Sequence, residues 1–158
     1  MNSYSVAERI NSDVNARVTY KSDLEQFDTP EFWEMAGKFG DCEDYALAKR
    51  NALLNAGWPK DKLGLCVCEA FGGGHCCLWV DTDKGSFILD NNYAFPMKPS
   101  ELPYKWESML CDGVWRQVHG FAERLAQQLN QTASSLFWVN IFIIIISGLI
   151  IANETHKT

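Results

Sequence analysis

Residues 40–59 read GDCEDYALAKRNALLNAGWP, and the fold turns on how this stretch is taken. From Cys42 to Ala56 good helix formers dominate, among them Ala46, Leu47, Ala48, Ala52, Leu53 and Leu54. Gly57 and Pro59 close the run, a glycine cap with a proline just beyond it. Asp41 falls at the N-cap position and Asp44 three places later, a capping-box-like pair. The helix therefore begins at Cys42, where free N–H groups and the helix dipole favour a thiolate. Asp41, Glu43 and Asp44 oppose it: three carboxylates raise a thiol's pKa unless they point away or share a cation.

Three apolar runs follow, at 63–71, 76–81 and 86–89, each read as a strand. Gly72-Gly73-Gly74 joins the first pair and residues 82–85 turn between the second and third. Alternation puts Cys66 and Cys68 on one face with Gly64 and Ala70. It also puts His75, Cys77 and Trp79 opposite Cys76, Leu78 and Val80. An antiparallel hairpin sets His75, at the start of one strand, beside Asp90, at the end of its neighbour. Cys42, His75 and Asp90 then form a candidate nucleophile, base and orienting acid. Spacing alone leaves the alternative open, since single Cys and His residues are commonly core.

The flanks are less distinctive. Residues 1–37 read as mainly helical, with Val6, Ile10, Val14 and Val18 at four-residue spacing. Thr29 and Pro30 predict a second start, with a short helix over 31–36 and Trp33 in the core. After Asp90 the chain turns repeatedly at Pro96, Pro99 and Pro103, with Tyr93, Phe95 and Tyr104 as packing groups. A last strand or two is expected around Val114-Trp115-Arg116. Phe121, Leu125 and Leu129 then mark an amphipathic linker helix. Residues 136–152, LFWVNIFIIIISGLIIA, carry no charge and predict a transmembrane helix at the short end of the ~17–25 residues needed.

Composition narrows the function classes. The chain has 158 residues, net charge −6 and pI near 5.0, with its 14 basic residues scattered. Without a basic stripe a nucleic-acid partner is disfavoured. Six cysteines could form disulfides, but residues 1–20 hold no signal-peptide pattern, so reduced thiols are expected. Zinc is the rival use for Cys66, Cys68, Cys76 and Cys77. Adjacent Cys76 and Cys77 point to opposite faces, so small buried packing groups is the favoured reading. Lacking an export signal, the soluble part is expected in the cytoplasm, tethered by residues 136–152 as a single-pass C-terminal anchor, with a periplasmic placement as the alternative.

GDCEDYALAKRNALLNAGWP, then GH before an apolar strand, then ILDNNY, together resemble the bacterial transglutaminase-like cysteine proteinases. Upstream Asn15, Val18, Tyr20, Asp23 and Trp33 are similar to that family's N-terminal helical part, so the resemblance spans about residues 8–118. It implies an α+β, papain/transglutaminase-like core, with a nucleophile-bearing helix packed on an antiparallel sheet. It implies Cys42, His75 and Asp90 as catalytic nucleophile, base and acid. Its LapG-type members are periplasmic, calcium-dependent proteases that clip surface adhesins, and acids around the nucleophile contribute to their calcium site. Asp41, Glu43 and Asp44 occupy the matching positions, and no other cofactor is required. The missing export signal and the C-terminal apolar segment depart from those relatives. The expected organisation is a peptidase domain over 1–118, a linker helix over 119–135, a transmembrane helix over 136–152 and a polar tail over 153–158. The expected function is a membrane-anchored cysteine peptidase or amidase that cleaves a protein or peptide through a thioester acyl-enzyme. The alternatives are a non-catalytic tethered binding module, transglutaminase-type acyl transfer to an amine, and a membrane-active protein in which the helix matters more than the domain.

Overall fold

The computed structural model describes residues 3–111 and 113–117, all within the first of two compact units, Met1–His119 and Gly120–Thr158. The expected linker helix, transmembrane helix and tail lie outside the described residues. Among the described residues no helix is long and apolar enough to cross a membrane.

Among the described residues three α-helices precede the main sheet: α1 (Tyr4–Arg17), the short α2 (Asp23–Phe27) and α3 (Cys42–Asn55). Two parallel pairs of residues, β1 (Thr19–Tyr20) and β2 (Phe39–Gly40), clip the chain together just before α3. The main sheet holds β3 (Leu63–Ala70), β4 (Gly73–Thr82), β5 (Gly85–Leu89), β6 (Lys105–Cys111) and β7 (Val114–Gln117). It is antiparallel throughout, in the order β5-β4-β3-β6-β7.

The alternation read from sequence decides what covers each face. Cys76, Leu78 and Val80 point to the side of α1 and α3, where Ile10, Val14, Ala46 and Leu53 complete a core. Cys66, Cys68 and Cys77 point the other way, under Ile88, Leu102 and Tyr104. The chain after β5 folds across that second face, held by an isolated bridge between Ile88 and Met97. All six cysteines are free thiols.

The end of α3 follows its sequence signals. Gly57 takes φ +82°, which favours glycine, and Trp58 is buried behind it. Its start is fixed by packing as well as capping: a Cβ on Gly40 would stand 2.8 Å from Asp44 Cβ and 2.9 Å from Ala36 Cβ.

Three expectations are corrected. Residues 31–36 are not helical, and the second helix lies earlier, over Asp23–Phe27 behind a Ser22–Glu25 capping box. The reason is competition for backbone donors. The N–H groups of Phe32 and Glu34 are taken by the carboxylates of Asp23 and Asp44, and that of Ala36 by the Asp44 carbonyl. Alternate N–H groups used in this way keep the segment extended. Trp33 is therefore not core but 43% exposed, with its ring edge-on to Trp115 at 6.2 Å. Finally, the β3–β4 turn is Phe71-Gly72, both at positive φ, while Gly73 and Gly74 pair within β4. Two left-handed residues match the twist of the flanking strands, so a two-residue turn suffices.

Candidate active site

Cys42 is the first residue of α3, packed against the start of β4. Its Sγ accepts the Cys76 N–H at 3.4 Å, and its thiol donates to Glu43 Oε2 at 3.1 Å. Burial pushes the thiol's pKa well up; the Cys76 N–H opposes this, while the Glu43 and Asp41 carboxylates add to it. This is a resting thiol, held by its neighbouring carboxylate.

His75 and Asp90 meet as the hairpin requires. Leu78 pairs with Leu89 across β4 and β5, so the chain leaving β5 runs back toward His75. His75 Nε2 donates to Asp90 Oδ2 at 2.9 Å, with the two residues 7% and 1% exposed. Burial alone would raise Asp90. The hydrogen bond and charge of His75, the Asn92 N–H and the Tyr104 hydroxyl outweigh it and hold the carboxyl below its usual range. With Nε2 engaged, Nδ1 is the nitrogen left for the cavity. That cavity, about 310 Å³, is lined by Tyr20, Cys42, Phe71, His75, Asn91 and Asn92. The thiol and the imidazole thus face one space.

The loop that carries Asp90 is anchored from α1. Asn15 Nδ2 donates to the Asp90 and Tyr93 carbonyls at 2.9 and 3.1 Å, and Asn11 Nδ2 to the Tyr93 and Ala94 carbonyls at 3.0 and 3.2 Å. Sequence reasoning gave neither asparagine a role, because the partners are backbone groups about 75–83 residues away. Tyr104, read from sequence as packing, donates its hydroxyl to Asp90.

The acids at the start of α3 are all buried. The Asp41 N–H donates to Asp44 Oδ2 at 3.4 Å, the return arm of a capping box, while Asp41 Oδ2 accepts from the Asp23 N–H. Burial raises all three carboxyls, Glu43 to about 8 and Asp44 to about 6. Their oxygens do not converge as one trio. Asp41 and Asp44 gather with Asp23, and Glu43 gathers with Asp23 and Glu31, each set within 4.8 Å. Asp23 and Glu31 had no spacing signal, since they come from α2 and the extended segment after it. Asp23 Oδ1, Asp41 Oδ1 and Glu43 Oε1 are buried without a hydrogen-bond partner. Orphaned, oxygen-only carboxyl donors, which a bound cation would hold ionised, fit a hard cation such as calcium.

Comparison with known proteins follows the same lines. Three solved Legionella pneumophila LapG structures are similar to this chain. The calcium-bound form has TM-score 0.62 and 22% identity over 73% of this chain and 68% of that one. A second LapG structure has TM-score 0.62 and 23% identity over 72% and 66%. An EGTA-treated form has TM-score 0.55 and 23% identity over 73% and 72%. The chain thus spans about two thirds of the length of these LapG chains, and at this identity the likeness establishes a shared helix-and-antiparallel-sheet fold. No curated protein sequence matches. The model of the bacterial transglutaminase-like cysteine proteinases matches residues 2–122, which takes in α3 and the whole sheet, and the chain belongs to that family of cysteine proteinases.

Proposed function

We propose that this protein is a membrane-anchored peptidase or amidase that cleaves a protein or peptide amide bond through an acyl-enzyme on Cys42. His75 serves as base and Asp90 as the acid that orients it. The observation that carries the reading is the 2.9 Å His75–Asp90 pair opening on the cavity that Cys42 lines at the head of α3. Nucleophile, base and orienter with these roles recur on unrelated folds.

The steps follow from the groups present. His75 Nδ1 takes the thiol proton, and the Cys42 sulfur bonds to the substrate carbonyl carbon. Negative charge moves to the carbonyl oxygen, where the Cys42 backbone N–H at the helix N-terminus can receive it. The C–N bond then breaks, and the departing amine takes the proton from the imidazolium. Water next gives its proton to His75 and attacks the thioester, releasing the acid and restoring the thiol. Throughout, Asp90 keeps the imidazole proton on Nε2. Before the first step the thiol has to turn from Glu43, to which it donates, toward His75.

Asp23 with Asp41 and Asp44, or Asp23 with Glu31 and Glu43, would hold a calcium ion. Their orphaned oxygens support this reading, as do the calcium-bound and EGTA-treated forms of the similar LapG. When bound, the cation supplies positive charge that offsets the carboxylates' repulsion of a thiolate.

The organisation read from sequence, with residues 136–152 in the bilayer and the peptidase domain on its cytoplasmic face, completes the proposal. Digestion of that domain from only the periplasmic side of membrane vesicles would overturn the placement. Acyl transfer would use the same residues with an amine in place of water, so the two outcomes need separate readouts. Casein serves as a general substrate, incubated with calcium and a fluorescent primary amine. Hydrolysis predicts fragments, lost in Cys42→Ala, His75→Ala and Asp90→Asn. Intact casein bearing the fluorophore would identify a transferase. Casein cleavage that persists in Cys42→Ala would remove the proposal.

A further inference from the structure

Tyr104 closes the turn-rich segment that covers the second face of the sheet, and it is only 8% exposed. Its hydroxyl donates to Asp90 Oδ2 at 2.7 Å, the same oxygen that receives His75 Nε2. The other oxygen, Oδ1, takes the Asn92 N–H at 2.8 Å. Three donors around one carboxylate leave it a single orientation. The tyrosine ring meets the imidazole edge to face, with centroids 5.6 Å apart and planes at 78°. It is braced in turn by Phe71 at 5.6 Å and Trp106 at 5.4 Å. One side chain thus touches both partners, the carboxylate through its hydroxyl and the imidazole through its ring. Phenylalanine would fill the same space with no polar atom to bury, so packing alone does not account for a tyrosine here.

We propose that Tyr104 is a positioning residue of the reaction, fixing the His75–Asp90 pair so that the imidazole offers Nδ1 to Cys42. The inference rests on the triad reading above. Burial and donation to Asp90 push the phenol far above its ordinary range, so it stays a donor at every working pH. The hydroxyl also draws negative charge from the oxygen it shares with His75. Removing it concentrates that charge and favours the imidazolium. The other titratable groups around the pair stay in place: Lys49 from α3 and Cys77 from β4 act on Asp90, Tyr93 from the following loop acts on Tyr104, and Cys42 faces His75 across the cavity.

The test is ¹⁵N NMR of the imidazoles in the full-length chain, in mild detergent, with His75 assigned through His75→Gln and casein hydrolysis measured in parallel. Wild type is expected to show His75 as the Nε2–H tautomer. Tyr104→Phe is expected to move the His75 ¹⁵N resonances away from the pure Nε2–H pattern, leaving those of the other two histidines unmoved. The loss of one charge-assisted hydrogen bond should lower kcat about 10- to 100-fold at near-constant KM. Tyr104→Leu, which also removes the ring, should mix the two tautomers. A wild-type Nδ1–H tautomer would overturn the proposal without any variant. So would a Tyr104→Phe protein with unchanged His75 ¹⁵N resonances and unchanged kcat. If instead His75→Gln itself hydrolyses casein normally, the triad reading fails, whatever Tyr104 does.

Discussion

Replacing Lys49 by methionine should make the fold more stable at neutral pH. Lys49 lies on α3 and is fully buried, its ammonium has no hydrogen-bond partner, and the Tyr45 ring centroid is 5.7 Å away. Burial pulls its pKa from 10.5 down to about 7, against the charge of Asp90, which favours the ammonium. Between those two values the unfolded chain carries a proton that the folded one lacks. Stability therefore rises with pH across that window, and the penalty is complete at and below about pH 7. At about 1.36 kcal/mol per pH unit, the ceiling is roughly 5 kcal/mol. Methionine keeps most of the buried stem and removes the charge, so a gain of about 1–4 kcal/mol at pH 7 is expected. Urea denaturation of both proteins from pH 6 to 10.5 reads the difference directly, since other titrating groups largely cancel. The gain should shrink steadily above pH 7. A variant destabilised equally at pH 7 and pH 10 would refute the reasoning, because it would mean that the ammonium has a partner the fold depends on.

Other outcomes follow from the same geometry. Calcium at 100-fold above its dissociation constant should stabilise the protein by about 2.7 kcal/mol, read by thermal melting against EGTA. Asp23→Asn should abolish that gain, and a wild-type melting point that is the same in calcium and EGTA would exclude the metal. Asn15→Ala removes the donor to the Asp90 and Tyr93 carbonyls. It should destabilise by about 1–3 kcal/mol in urea, and casein hydrolysis should fall further than the loss of folded protein explains. Gly40→Ala places a methyl against Asp44 Cβ and Ala36 Cβ at under 3 Å. Overpacking there should cost about 1–3 kcal/mol in the same titration.

What the sequence made legible was local, or was fixed by pairing. The bounds of α3 could be read because caps and the Gly57 stop act within a few residues. The meeting of His75 with Asp90 could be read because a short turn between strands sets the register of everything that follows. Residues 31–36 misled, because helix signals at Thr29 and Pro30 lost to Asp23 and Asp44, carboxylates supplied by other elements. The gathering of Asp23 and Glu31 with the α3 acids was hidden for the same reason. It depends on where α2 and an extended segment dock, and no periodicity encodes that. Tyr104 was recognised as buried but not as a donor, since hydrophobicity reports where a ring goes and not what its hydroxyl meets.

The central claim is that Cys42 is a nucleophile served by His75. Its most direct test is brief iodoacetamide labelling at pH 7 with calcium present, mapped by mass spectrometry in wild type and His75→Ala. Cys66, Cys68, Cys76 and Cys77 are each at most 4% exposed, so they supply an internal background of inert thiols. The account predicts that Cys42 is alkylated far faster than these four and that the advantage is lost in His75→Ala. Equal labelling of Cys42 in the two proteins, or labelling spread over the buried cysteines, would contradict it.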